Sequence, residues 1–135
     1  MPSDLGAEGR DRIAWNYTHD FTDIFDLGLP RFKLAMTESD SLPLAATSVY
    51  LSFLATIPDS LIARKFGTAQ ALEVQQEAKA VEARLDNRVD QQARERDLMA
   101  FDRSLKARGL NPGTSADLTV ATLFAASLQA LEIGC

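Results

Sequence analysis

The chain has 135 residues, of which 46% are hydrophobic and 24% charged, and this composition fits one globular domain with a buried core. The net charge is −5, and residues 1–57 hold eight acidic but only four basic side chains, so no nucleic-acid surface is expected. The only cysteine is Cys135, which excludes an intramolecular disulfide and a zinc site built from cysteines.

The start of the chain combines glycine, proline and mixed charges, so residues 1–14 are predicted to form a flexible lead-in to a single helical domain over residues 15–135. Trp15 and Tyr17 are expected to pack this lead-in onto the domain. The segment lacks the basic and then apolar pattern of a secretory signal, and the cytoplasm is the expected compartment. His19, the only histidine, lies beside Asp20 and Asp23, where a metal site and a solvated histidine are the two interpretations.

The next two elements are predicted to be helical. Residues 21–34 predict two turns of helix, a break at Gly28 and Pro30, and a further short helix. Residues 44–57 predict a buried core helix. The uncharged run over residues 41–58 approaches the length of a membrane span, but two prolines and several hydroxyl side chains interrupt it, so no membrane association is expected.

A short helix and a long one are predicted to follow. Pro58 is expected at the first position of the short helix, which continues over residues 60–66 and ends at Gly67. Thr68 is then expected to cap the long helix. Apolar side chains recur along it every three or four residues and predict one buried stripe, formed by Val74, Ala78, Val81, Leu85 and Val89.

The remaining sequence predicts two more helical stretches. A second apolar stripe out of step with the first predicts a kink or loop in residues 87–92, and it consists of Ala93, Leu98, Phe101 and Leu105. From Leu118 to Leu131 the last helix is apolar nearly all round, so it is either central or covers a surface that another chain fills. No strand-like alternation persists, and the predicted fold is an all-α bundle of about five helices.

The turn at residues 111–118 is the most informative local feature. Pro112 and Gly113 predict a turn into the last helix, and Thr114 with Asp117 matches the S/T-x-x-D pattern of a helix start. In one interpretation Thr114 caps the helix and Asp117 closes the capping box. In the other, the backbone N–H groups and the Thr114 and Ser115 hydroxyls bind phosphate while Asp117 binds magnesium or a ribose hydroxyl.

Four segments in order resemble the triphosphoribosyl-dephospho-CoA synthase family. They are residues 20–30, residues 58–67 (PDSLIARKFG), residues 101–105 (FDRSL) and residues 111–118 (NPGTSADL). The resemblance is to the C-terminal half of the family. Its N-terminal half carries a K-P-G segment that is not found here, so the chain looks like a truncated reading frame or one piece of a split enzyme.

The resemblance implies an all-α transferase that moves the 5-triphosphoribosyl group of ATP to dephospho-CoA and releases adenine. Such a reaction needs carboxylates near the sugar. It also needs cations on the phosphates, and Mg²⁺ is the candidate cofactor for that role. The residues assigned to catalysis are Asp59 and Asp117, the latter also as the candidate Mg²⁺ ligand; the residues assigned to substrate binding are Arg64, Lys65, Asn111, Gly113, Thr114 and Ser115.

Some of these residues also have purely structural interpretations. In the alternative interpretation Asp59 complements a helix dipole, and Arg64 and Lys65 neutralise the other end of the same helix. Asp102 is expected to be an exposed acid paired with Lys106. The alternative functions are a related phosphoribosyl-handling protein in one-carbon cofactor assembly, or a non-catalytic interaction subunit whose last helix docks on a missing N-terminal half. A homo-oligomer is a further expected partner arrangement.

Overall fold

The computed structural model describes residues 11–86 and 90–134, and within these ranges it contains helices and no strand. The prediction of an all-α fold is confirmed. A π-helical segment, Asp23–Gly28, accompanies seven α-helices: α1 Arg12–Thr18, α2 Leu29–Glu38, α3 Leu42–Thr56, α4 Ser60–Phe66, α5 Thr68–Asp86, α6 Gln91–Ala107 and α7 Gly113–Gly134.

Helix α3 is the centre of the bundle, as predicted for residues 44–57. Ser41 caps it by accepting a hydrogen bond from the Leu44 N–H, and Pro43 lies in its first turn, where its missing N–H costs nothing. One side of α3 packs on α5 and the other on α2 and α7. Val49, Phe53 and Leu54 are fully buried between these layers, so α3 holds the two halves of the core together.

Helix α5 buries the predicted stripe. Val74, Ala78, Val81 and Leu85 all lie in the core beside Leu54 and Ile62, whereas the fifth predicted member, Val89, lies outside the described residues. Gly67 ends α4 with a φ of 98°, a conformation that glycine adopts without strain. Asp90 caps α6, so a break between α5 and α6 falls where the change of stripe placed it.

The predicted break at Gly28 and Pro30 is wrong. The π-helical segment runs directly into α2, because Gly28 and Leu29 both have helical backbone angles and the Leu29 N–H donates to the Ile24 carbonyl. Pro30 lies in the first turn of α2, where a helix tolerates proline. Gly28 is needed for a different reason: a Cβ atom there would overlap Thr122 Oγ1 and lie 2.9 Å from Phe53 Cζ.

Helix α1 was not predicted, and it includes residues 12–14 of the expected lead-in; residues 1–10 lie outside the described residues. Asp11 caps it by accepting from the N–H groups of Ile13 and Ala14. Trp15 stacks on His19, with ring centroids 4.0 Å apart, but Tyr17 is 71% exposed and does not join the core. Polar contacts of Arg12 and Asn16, described below, fasten α1 instead.

Helix α7 buries one face and exposes the other. Leu118 and Thr122 are buried against α3 and the π-helical segment, whereas four large apolar side chains on the opposite face are exposed: Val120, Phe124, Leu128 and Leu131. Among the described helices, none alone is long and apolar enough to span a membrane, although α3 and α4 taken together, bent by 53°, pass that test of length and composition.

Candidate functional site

A single carboxylate joins the starts of α4 and α7. Asp59 is the N-cap of α4, and its Oδ1 accepts from the N–H groups of Leu61, at 2.9 Å, and Ile62, at 3.1 Å. Its Oδ2 accepts from both the N–H and the hydroxyl of Ser115 in the first turn of α7, at 2.8 and 2.9 Å. The positive ends of two helix dipoles therefore meet on one buried anion.

The contacts around Asp59 continue into a larger polar network. The hydroxyls of Ser60 and Thr114 lie 2.7 Å apart, and Ser60 Oγ also accepts from the Arg12 N–H at 3.1 Å. The Arg12 guanidinium donates to both oxygens of Asp23, at 2.7 and 3.0 Å, in the bidentate geometry that favours this pair.

Asn16 completes the network on the side of the π-helical segment. Its Nδ2 donates to Asp23 Oδ2 at 2.9 Å, and its Oδ1 accepts from the Asp23 N–H. The network therefore fixes α1, the π-helical segment, α4 and α7 relative to one another. We call the part formed by Asp59, Ser60, Thr114 and Ser115 the Asp59 junction.

The structure corrects the expected placement of Asp59. Pro58 precedes the helix instead of opening it, and Asp59 is the N-cap of α4 and is 1% exposed. Arg64 and Lys65 are exposed in the last turn of α4, where their charges complement the helix dipole. The helix-dipole interpretation therefore describes the geometry of all three residues.

The structure also corrects the capping interpretation of residues 111–118. Helix α7 already begins at Gly113, so Thr114 lies inside the first turn and its hydroxyl bonds to Ser60 instead of capping. Asp117 is exposed and closes no capping box. Because the Ser115 N–H and hydroxyl both donate to Asp59, the anion at this helix start is the protein's own carboxylate.

The two other members of the turn have different surroundings. Asn111 is exposed, with its carbonyl accepting from the Gly113 N–H at 2.8 Å. Gly113 lies against α4, since a Cβ atom there would be 2.5 Å from Leu61 Cδ2. Gly113 thus allows the two helix starts to approach closely enough for Ser115 to reach Asp59.

The described residues contain no cluster of three or more histidine, cysteine or acidic side chains that could ligate a metal ion. His19, a candidate ligand by sequence, instead directs Nδ1 to the Trp15 carbonyl at 2.8 Å. The chemistry of Asp117 still fits Mg²⁺ brought by a substrate, because Mg²⁺ keeps several waters and commonly binds one or two carboxylates together with substrate phosphates.

Sequence reasoning missed a cleft of about 470 Å³ between α3 and α6, which we call the α3–α6 cleft. Its walls are mostly apolar, and its lining includes Thr47, Tyr50, Glu95, Asp102 and Arg103 as polar members. A smaller cavity of about 210 Å³ shares four of its lining residues and extends it toward the end of α2. Tyr50 and Leu51 follow Thr47 by three and four residues on α3, so these side chains lie on one face of the helix.

Tyr50 links this cleft to the Asp59 junction. Burial, followed by the charges of Asp59 and Asp102, raises the pKa of the Tyr50 hydroxyl. Asp102 pairs with Lys106 at 2.8 Å, as expected from their spacing, and is 56% exposed. Tyr50, Leu51 and Leu105 of the cleft pack in one core cluster with Ile62 of α4, so the cleft lies beside α4.

A protein-family model described as ATP:dephospho-CoA triphosphoribosyl transferase matches residues 6–134. The chain belongs to this family. The match spans all four segments that carry the resemblance, including both halves of the Asp59 junction, and the domain is that of a triphosphoribosyl-dephospho-CoA synthase-like transferase. No curated protein and no solved structure matches the chain significantly.

Proposed function

We propose that the chain acts in transfer of the 5-triphosphoribosyl group of ATP to the ribose 2′-hydroxyl of dephospho-CoA, with release of adenine. The family match over residues 6–134 carries the proposal. The Asp59 junction supports it, since two of the segments that resemble the family, 58–67 and 111–118, are bonded to each other there.

The reaction breaks the bond between C1′ of the ribose and N9 of adenine and forms a bond from C1′ to the acceptor oxygen. The acceptor hydroxyl loses a proton, and the departing adenine gains one. Positive charge develops on the sugar in the transition state, so nearby carboxylates stabilise it, and cations are needed on the triphosphate.

The structure supports distinct roles for the proposed residues. Ser115 donates to Asp59, and the Thr114 hydroxyl bonds to Ser60, which favours positioning of the two helix starts over direct contact with substrate. Arg64 and Lys65 are exposed cations on the surface, about 8 Å along α4 from its start, within reach of a triphosphate held there. Asp117 is the exposed carboxylate of the α7 start.

Asp117 is proposed as the ligand of a substrate-borne Mg²⁺ ion, with Asn111 beside the phosphates. A bound Mg²⁺ would neutralise phosphate charge. Asn111 lies two residues before Gly113 and Asp117 lies one helical turn after it, and both are exposed, so neither must leave the core to bind. The cytoplasm is kept as the proposed compartment.

Asp117→Ala tests this assignment. We expect it to change the free energy of unfolding by no more than about 0.5 kcal/mol, because the side chain is exposed, while lowering adenine release from ATP at least about tenfold. The assay measures free adenine formed from Mg-ATP and dephospho-CoA. Asp86→Ala, another exposed carboxylate, is the matched control, and equal activity of the two variants would contradict the role of Asp117.

A second candidate is a non-catalytic interaction subunit. The observation that favours it is the exposed apolar face of α7, which includes Phe124 and Leu131. Absence of adenine release from a folded wild-type chain, together with retained helix content, would favour this candidate over the transferase.

A further inference from the structure

We infer that the α3–α6 cleft binds the adenine base of the nucleotide substrate, with Asp102 accepting a hydrogen bond from the 6-amino group and the Tyr50 hydroxyl donating to a ring nitrogen. This inference rests on the proposed function, which supplies an adenine nucleotide as substrate. It adds the location of the base and the residues that select it.

The walls of the cleft suit a flat heteroaromatic ring. They include Phe101 and Met99, which favour ring stacking and sulfur–aromatic contacts, and several leucines from α3 and α6. A volume of about 470 Å³ lies in the range of small-molecule sites, and a mostly apolar lining with a few polar groups is typical of them. The base would exchange water for apolar contacts on both faces.

The charges of the cleft favour a neutral base over a phosphate. Its lining carries two carboxylates, Glu95 and Asp102, against one guanidinium, Arg103. Because Lys106 pairs with Asp102, these charges balance, so the cleft offers no excess of positive charge to a triphosphate, whereas the amino group of adenine is a hydrogen-bond donor that a carboxylate accepts. A 6-oxo base presents an acceptor at that position and would meet an acceptor on the protein.

The polar groups in the cleft have bonding capacity to spare. Tyr50 is half-buried in the lining of the cleft, and its hydroxyl makes no hydrogen bond with the described residues. Lys106 engages Oδ2 of Asp102 and leaves Oδ1 available to a ligand. A tyrosine hydroxyl is protonated at neutral pH and can donate to a ring nitrogen.

Proximity connects the cleft to the proposed chemistry. The cleft residues Tyr50, Leu51 and Leu105 share a core cluster with Ile62, whose N–H donates to Asp59, so the inner wall of the cleft faces the Asp59 junction. A nucleotide with its base in the cleft therefore directs its ribose toward that junction. Its phosphates can then lie outside the cleft.

Binding of ATP and inosine triphosphate to the full chain tests the inference, because the two differ only at the 6-position and the adjoining N1 of the base. We expect the wild-type chain to bind ATP at least about tenfold more tightly. Asp102→Asn should bring the two affinities within about threefold, since an amide can donate to the 6-oxo group. Calorimetric titration gives both dissociation constants.

The control is Asp86→Asn, which also neutralises an ion-paired carboxylate, 60% exposed against 56% for Asp102, but lies outside the cleft. It should keep the wild-type preference. Met99→Trp is a second variant: Met99 is exposed at the cleft wall, so a larger side chain can narrow the cleft without disturbing the core, and it should weaken ATP binding.

Three results would overturn the inference: no ATP binding by the folded chain, equal binding of both nucleotides, or a preference that Asp102→Asn leaves unchanged. Adenine release measured on the same preparations separates it from the proposed function. If the chain transfers the triphosphoribosyl group but Asp102→Asn leaves the preference for ATP unchanged, the base site alone is refuted. An Asp102-dependent preference without transfer supports the base site and refutes the proposed function.

Discussion

Asp59 is the residue on which the arrangement of α4 and α7 depends most. Asp59→Ala removes four accepted hydrogen bonds and leaves the buried Ser115 donors without their partner, so we expect the free energy of unfolding to fall by about 3 kcal/mol. Urea unfolding measures this difference.

Asp90→Ala is the matched control for Asp59→Ala. Asp90 also caps a helix, but it is exposed and its carboxylate accepts from the Gln92 N–H alone. Its loss should cost about 1 kcal/mol or less. Equal losses in the two variants would show that Asp59 serves α4 only and does not join it to α7.

Tyr50 gives the fold a specific sensitivity to alkaline pH. Its pKa is raised in the folded protein above the ordinary value near 10, so its stabilising contribution is complete below pH 10 and is lost as pH rises through the folded pKa. We expect the wild-type chain to lose stability above pH 10 by up to about 1.4 kcal/mol per pH unit more than Tyr50→Phe does. Parallel pH profiles of unfolding for the two proteins would contradict this.

At the scale of residues, the sequence singled out the members of the Asp59 junction but not their connection. The resemblance marked Asp59 and Ser115 as site residues, and local spacing correctly predicted the ion pair of Asp102 with Lys106. The bond from Ser115 to Asp59 joins residues 56 positions apart, and no local pattern encodes such a contact. The capping interpretation of Thr114 was wrong for the same reason, because its partner Ser60 lies on another helix.

At the scale of elements, the contact of the π-helical segment with α7 requires a glycine. Gly28→Ala would press a methyl group against Thr122 and Phe53, and we expect it to cost about 2 kcal/mol. The double variant Gly28→Ala with Thr122→Ala should recover part of this loss, because two of the three closest atoms belong to Thr122. A double-mutant cycle of unfolding free energies measures the recovery.

Gly67→Ala is the control that measures the cost of backbone strain without steric crowding. Gly67 has a positive φ and open space around its Cα, so alanine there should cost about 1 kcal/mol from strain alone. Thr122→Ala should not rescue it. Additive effects of Gly28→Ala and Thr122→Ala would contradict the close packing assigned to Gly28.

Elements with a strong helical period were predictable, and those with special backbone geometry were not. The stripe from Val74 to Leu85 placed α5 in the core correctly, since a period of 3.6 residues leaves one buried face. Gly28 and Pro30 suggested a break because both disfavour helix interiors. The structure accommodates both residues by a π-helical turn and a proline in the first turn of α2.

At the scale of the whole molecule, the fold class followed from the sequence and the cleft did not. Absence of strand-like alternation and several amphipathic stretches predicted an all-α bundle. The α3–α6 cleft arises from how α6 packs after the break beyond α5, and the angle between two helices is set by side chains on both. Its polar members were therefore unrecognised, apart from Asp102.

The most direct test of a nucleotide site in this chain is thermal unfolding with and without Mg-ATP and dephospho-CoA. A ligand that binds only the folded state, at about one hundred times its Kd, adds about 2.7 kcal/mol of stability, which is a rise in Tm of about 10 °C for a domain of this size. We predict such a rise with Mg-ATP and a further one with dephospho-CoA. An unchanged Tm with both ligands, in a chain that unfolds cooperatively, would contradict the account.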